Sequence, residues 1–117
     1  MIEVQRLNNL EVAISLVDTG FVERPRFNLR NARVFFTVKE HLTDDESLVR
    51  IQKDNIGGGL EITDEANGEI LVSLTPGDLS LPPSDYYYDI FVMRDGMVHS
   101  CEPAIFRVKP TVLGVLR

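Results

Sequence analysis

LEITDEANGEILVSLTPGDLSLPPSDYYYDIFV, residues 60–92, decides the fold of this chain. Leu60 and Ile62 alternate with polar neighbours, and after Asn67-Gly68 the residues Ile70, Val72 and Leu74 do the same, which is the period of two of half-buried strands. Asn-Gly favours a hairpin, here with a loop longer than the minimal two residues. Thr75-Pro76-Gly77-Asp78 has the makings of a helix start: a Thr cap, Pro in the first turn and an acid three residues after the cap. Pro82-Pro83 follows so closely that only a single short helical turn near residues 75–80 has room to form. The segment is therefore a corner leading into a third strand. There Tyr86, Tyr88, Ile90 and Val92 share one face, opposite Tyr87, Asp89, Phe91 and Met93.

The pattern continues outward in both directions. Leu10, Val12, Ile14 and Leu16 alternate with Glu11, Ala13, Ser15 and Val17. ARVFFTVKE puts Ala32, Val34, Phe36 and Val38 on one face and Arg33, Phe35, Thr37 and Lys39 on the other. SLVRIQK gives a shorter strand ending near Asn55. Asp95-Gly96 marks a tight hairpin into MVHSC, Pro103 should interrupt or bulge that return, and AIFRVK closes the set with Ala104, Phe106 and Val108 on one face. About seven or eight short antiparallel strands, with turn signals every 8–15 residues, predict an all-β, immunoglobulin-like β-sandwich. A five-stranded barrel is the alternative.

The chain of 117 residues is the size of one domain, expected to have its core at about residues 10–109 between short tails. With 44% hydrophobic and 26% charged residues it is globular in composition. A net charge of −6 with scattered Lys and Arg argues against nucleic acid. No apolar run is long enough to span a membrane, and MIEVQRLNNLEV lacks the basic start and apolar core of a signal peptide. A single cysteine, Cys101, rules out an internal disulfide and a multi-cysteine metal site.

Several residues invite a chemical reading. Gly57-Gly58-Gly59 is followed by a strand, whereas a phosphate-cradling loop opens a helix, so a connection or bulge is expected. Asp44-Asp45-Glu46 and Asp64-Glu65-Asn67 carry oxygen ligands but lack the alternation and distal Glu of a Ca²⁺ loop, which leaves them as solvated turns. His99 and Cys101 would share a strand face, yet no third orienting group accompanies them. No catalytic residues, cofactor or metal are therefore expected. Tyr86, Tyr87 and Tyr88 could offer sugars an aromatic platform. Alternatively Tyr86 or Tyr88 supplies a tyrosine corner, its hydroxyl bonded back to the corner backbone. Phe35, Tyr87, Phe91 and Ile105 face outward, and Val112, Leu113, Val115 and Leu116 follow at the carboxy end. If neighbouring strands gather them, they form a protein interface; the last four would either join a neighbour's sheet edge or finish this one.

NLRNARVFFTVKE, residues 60–96 and IFRVKPTV, in that order, resemble a small β-sandwich domain of tailed bacteriophages and prophages, the amino-terminal domain of the baseplate upper protein family and the short stand-alone virion proteins related to it. Leu29, Ala32, Val34, Phe36, Val38 and Lys39 fill its first motif. Ile62, Asp64, Gly68, Ile70, Val72, Leu74, Pro76 and Asp78 fill the second, and Tyr86 to Ile90 with Val92 fill the third. The match covers roughly residues 10–112. Arg30-Asn31 stands in place of a more usual Thr-Gly turn, Ser84-Asp85 where Gly commonly precedes the tyrosines, and Pro103 where Gly is more common. The resemblance implies a non-enzymatic structural component of a phage or prophage particle, in tail, baseplate or neck. It implies other virion proteins as partners, a homo-oligomeric ring as a way to assemble, and a virion location after synthesis in the host bacterial cytoplasm. A carbohydrate- or cell-surface-binding module using Tyr86, Tyr87 and Phe91 is the alternative.

Overall fold

A computed structural model describes residues 2–6, 8–16, 28–41, 49–94, 96–100 and 104–110, with Met97, His99 and Ser100 described through their backbone alone. Among the described residues nine strands form in chain order: β1 (Ile2–Gln5), β2 (Leu10–Ser15), β3 (Arg33–Lys39), β4 (Val49–Asp54), β5 (Leu60–Asp64), β6 (Glu69–Leu74), β7 (Ser84–Arg94), β8 (Met97–Ser100) and β9 (Ala104–Lys109). They build two sheets. The larger runs β1-β9-β7-β3-β4, with β8 also paired to β7, and the smaller runs β2-β6-β5. This is an immunoglobulin-like sandwich with β4 added to the larger sheet and β1 at that sheet's far edge.

Alternation places the core. Val34, Phe36 and Val38 on β3, Tyr86, Ile90 and Val92 on β7, and Phe106 and Val108 on β9 are buried on the inner face of the larger sheet. Ile70, Val72 and Leu74 of β6 and Leu60 of β5 meet them from the smaller sheet, with Leu10, Val12 and Ile14 of β2 packed against the cluster. Each fully buried side chain of this size contributes about 1.5–3 kcal/mol of transfer free energy. Phe36 lies 6.3 Å from Phe106 in an edge-on arrangement and 5.5 Å from Tyr88, so aromatic packing joins the three central strands of the larger sheet.

One expectation changes. Ile2–Gln5, assigned by its position to a tail, forms β1 and pairs parallel with β9, burying Val4. A four-residue strand whose partner lies more than a hundred residues away leaves no local signal. The strands are accordingly not all antiparallel. Two strands line β7 on its return side. β8 pairs Ser100 with Phe91, and β9 pairs Ala104 with Tyr88. Cys101, Glu102 and Pro103 lie outside the described residues, and with them the interruption or bulge expected at Pro103.

The turns follow from their side chains. Asn31 takes a left-handed φ of 58°, so Asn serves where glycine would otherwise be used. Asn55 then caps the start of β3: its amide oxygen accepts from the Val34 N–H at 2.8 Å and its amide nitrogen donates to the Ala32 carbonyl at 3.1 Å. After β4 the Asp54 carboxylate accepts the N–H groups of Gly57 and of Ile56. Gly59 has φ of +84°, and a Cβ there would run into the Lys53 side chain, so only glycine turns the chain from the larger sheet into β5 of the smaller.

The corner is built as expected. The Thr75 hydroxyl accepts from the Asp78 N–H at 3.2 Å, the Asp78 carboxylate accepts from the Thr75 N–H at 2.8 Å, and Leu79 N–H bonds to the Thr75 carbonyl at 3.1 Å. It is a reciprocal capping box on one turn. Leu79 is fully buried beneath it, and Lys53 of β4 reaches the Asp78 carboxylate at 2.7 Å. Burial alone would raise the Asp78 pKa, but the Lys53 ammonium and the bonds from Thr75 outweigh it and hold the carboxyl below its ordinary value.

Candidate interaction surface

Tyr86 forms the tyrosine corner. Its ring is buried and its hydroxyl donates to the Pro82 carbonyl at 2.7 Å, four residues upstream. Burial, reinforced by the Glu40 carboxylate, raises its pKa above 10.0. Tyr88 is half-buried against Phe36. With Tyr86 inside, only Tyr87 and Phe91 remain of the three rings that a sugar platform would use.

The outward residues of the larger sheet come together. Phe35 on β3 lies directly opposite Phe91 on β7, and Tyr87 on β7 directly opposite Ile105 on β9. All four are half-buried by their neighbours. Phe35, Thr37, Val49, Gln52, Phe91 and Val98 line a groove of about 340 Å³ across this face. Val112, Leu113, Val115 and Leu116 lie outside the described residues.

Three further apolar residues extend the patch, and none was among the expected ones. Met93 is 44% exposed and pairs with Val98, which is 58% exposed; Ile56, 71% exposed, lines a neighbouring hollow with Met93. The signal was present in the sequence: Met93 shares parity with Phe91, and a tight hairpin expected at Asp95-Gly96 would set Val98 opposite it. Ile56 is carried into position by the β4–β5 turn, for which no sequence pattern exists.

Paired charges frame the apolar strip. At one end the Arg33 guanidinium lies 4.7 Å from the centre of the Phe35 ring and 3.2 Å from the Asp54 carboxylate. At the other, Arg107 holds Asp85 with two bonds, at 2.7 and 3.2 Å, and Glu3 bridges Arg107 and Lys109. Arg107 lowers the Asp85 pKa, and Lys109, then Arg107, lower that of Glu3. The Gly57 N–H is the main cause lowering Asp54, supported by Arg33. Within the strip, the Thr37 hydroxyl donates to the Asp89 carboxylate, which allows Thr37 to be only 5% exposed.

Few of the chemical candidates fall on described side chains. His99 pairs through its backbone with Val92, while Cys101 and Asp44-Asp45-Glu46 lie outside the described residues. The Asp64 carboxylate is engaged by the Asn67 backbone and side-chain amides and closes the β5–β6 loop. Among the described residues no group of three or more His, Cys, Asp or Glu side chains is placed to hold a metal ion, and no helix is long and apolar enough to cross a membrane.

No family model matches the chain, and no curated protein matches it. The functional reading accordingly stands on this face and on the motif resemblance.

Proposed function

We propose that this chain is a non-enzymatic structural component of a bacteriophage or prophage particle, in tail, baseplate or neck, that works by packing against other virion proteins. The observation that carries the packing role is the outer face of the larger sheet, where Phe35, Phe91, Met93 and Val98 form a contiguous apolar strip on neighbouring strands. Isolated apolar residues on a surface mean little, but a contiguous strip framed by polar groups marks a contact surface. The particle setting rests on the motif resemblance. Its motif residues Leu29, Ala32, Val34, Phe36 and Val38 form core here, and Thr75 to Asp78 form the corner.

Mass spectrometry of density-purified particles from the induced native host tests this reading. The chain should co-purify with capsid and tail proteins in a fixed copy ratio. Its absence from intact particles would refute the role.

The groove also favours a second reading, a carbohydrate-binding module with Phe35 and Phe91 as stacking rings and Gln52 as a polar contact. Saturation-transfer NMR with host cell-wall oligosaccharides checks it: transfer lost on Phe91→Ala supports the module, and no transfer from any oligosaccharide removes it.

A further inference from the structure

The outer faces of the two sheets differ in charge. On the smaller sheet the outward positions include Glu11, Glu61 and Glu69 and no cation. On the larger sheet, strand register sets four cations outward, Arg33, Lys39, Arg107 and Lys109, against four carboxylates, Glu3, Asp54, Asp85 and Asp89. Counted over the described residues that face is neutral, so the chain's net charge of −6 sits outside these strand positions. It is also the face that carries the apolar strip.

We infer that the outer face of the larger sheet is a self-association surface, on which two copies of this chain pack face to face about a two-fold axis. Two molecules of charge −6 repel at a distance, and the surfaces they can bring together are those without net charge. A strongly charged partner would find no opposite sign here to meet. A second copy presents an equally neutral, apolar strip by symmetry, as an isologous contact requires.

Area sets the strength. Five strands about 4.8 Å apart and roughly six residues long at ~3.3 Å each give a footprint on the order of 500 Å². Two such faces remove on the order of 1,000 Å² from water, at the threshold of a specific interface. The dimer should therefore be weak, reversible and visible only at high concentration. Particle membership is not required for it, since the same faces would meet in free solution.

Sedimentation equilibrium of the whole chain, from about 1 μM to about 1 mM at low and high salt, tests the inference over the range in which small interfaces dissociate. The expected result is a monomer–dimer equilibrium that added salt leaves unchanged or tightens, because salt screens the repulsion between the two chains. Met93→Glu and Val98→Glu, both at exposed positions, should each raise the dissociation constant at least about tenfold with an unchanged unfolding midpoint. A monomer throughout the range overturns the inference, as does a dimer that salt dissolves or that neither substitution weakens. A chain that is monomeric alone but co-sediments with purified tail proteins overturns it too, and assigns the face to another virion protein. Incorporation into particles is read separately, so failure of the dimer and failure of the proposed role are distinguishable.

Discussion

Tyr86→Phe removes one hydroxyl and leaves the buried ring in place. The lost bond joins Tyr86 to the Pro82 carbonyl at 2.7 Å and ties the start of β7 to the corner before it. A net intramolecular hydrogen bond contributes about 1 kcal/mol, and Pro82 is exposed, so water can take over its carbonyl and keep the cost near that figure. For 117 residues, an unfolding entropy of roughly 2.1 cal/mol/K per residue makes about 0.25 kcal/mol/K, hence a fall in Tm of about 4 °C. Tyr86→Ala, which also empties the ring's place in the core, should cost about 3–5 kcal/mol. The substitution has a pH signature as well. The folded pKa of Tyr86 is raised, so its contribution is fully present below the unfolded value near 10.0 and is lost as pH climbs through the folded value. Urea unfolding at neutral pH and on an alkaline series reads both effects. Tyr86→Phe should be less stable at neutral pH and should lose less than the native chain as pH rises. A variant equal in stability to the native chain at neutral pH, with an unaltered alkaline limb, would refute the assignment of Tyr86 as the corner tyrosine.

Other substitutions probe the remaining supports. Asp78→Asn removes the Lys53 ion pair and weakens the capping box, at about 1 kcal/mol near neutral pH. Because the folded pKa of Asp78 lies below 3.8, its contribution is present above that value and lost as pH falls through the folded value, so the variant and the native chain should converge in acid unfolding curves. Val4→Ala should cost roughly 2 kcal/mol in urea unfolding if β1 is a working part of the core, and no measurable change would return residues 2–5 to the status of a tail. Gly59→Ala meets both a left-handed φ and the Lys53 chain, and should lower stability by about 1–2 kcal/mol or more, read as a shift in urea midpoint at constant slope.

Most of the strands were legible because alternation is a local property. Val34, Phe36 and Val38, or Ile70, Val72 and Leu74, announce their buried face within a few residues, and Thr75 with Asp78 announces the corner just as locally. What stayed hidden depends on distant partners. β1 exists only because β9 is beside it, and the move from β4 in one sheet to β5 in the other rests on Gly59 and the Asp54 turn. The interaction surface was legible in part. Parity placed Phe35, Tyr87, Phe91 and Ile105 outward, but their grouping required strand order, which puts Phe35 beside Phe91 and Tyr87 beside Ile105. Met93 and Val98 were readable from parity and the Asp95-Gly96 turn, while Ile56 was not. The choice between Tyr86 and Tyr88 likewise needed the position of Pro82, since both have the same parity.

The claim that assembly covers the apolar face of the larger sheet is tested most directly by hydroxyl-radical footprinting of density-purified particles, comparing oxidation at Met93 with that of the free chain held dilute enough to be monomeric. Met93 should be protected in the particle, while the face of the smaller sheet away from the core keeps its reactivity where no neighbour covers it. Met93 oxidised as fast in particles as in the free chain would contradict the account, as would particles that do not contain the chain.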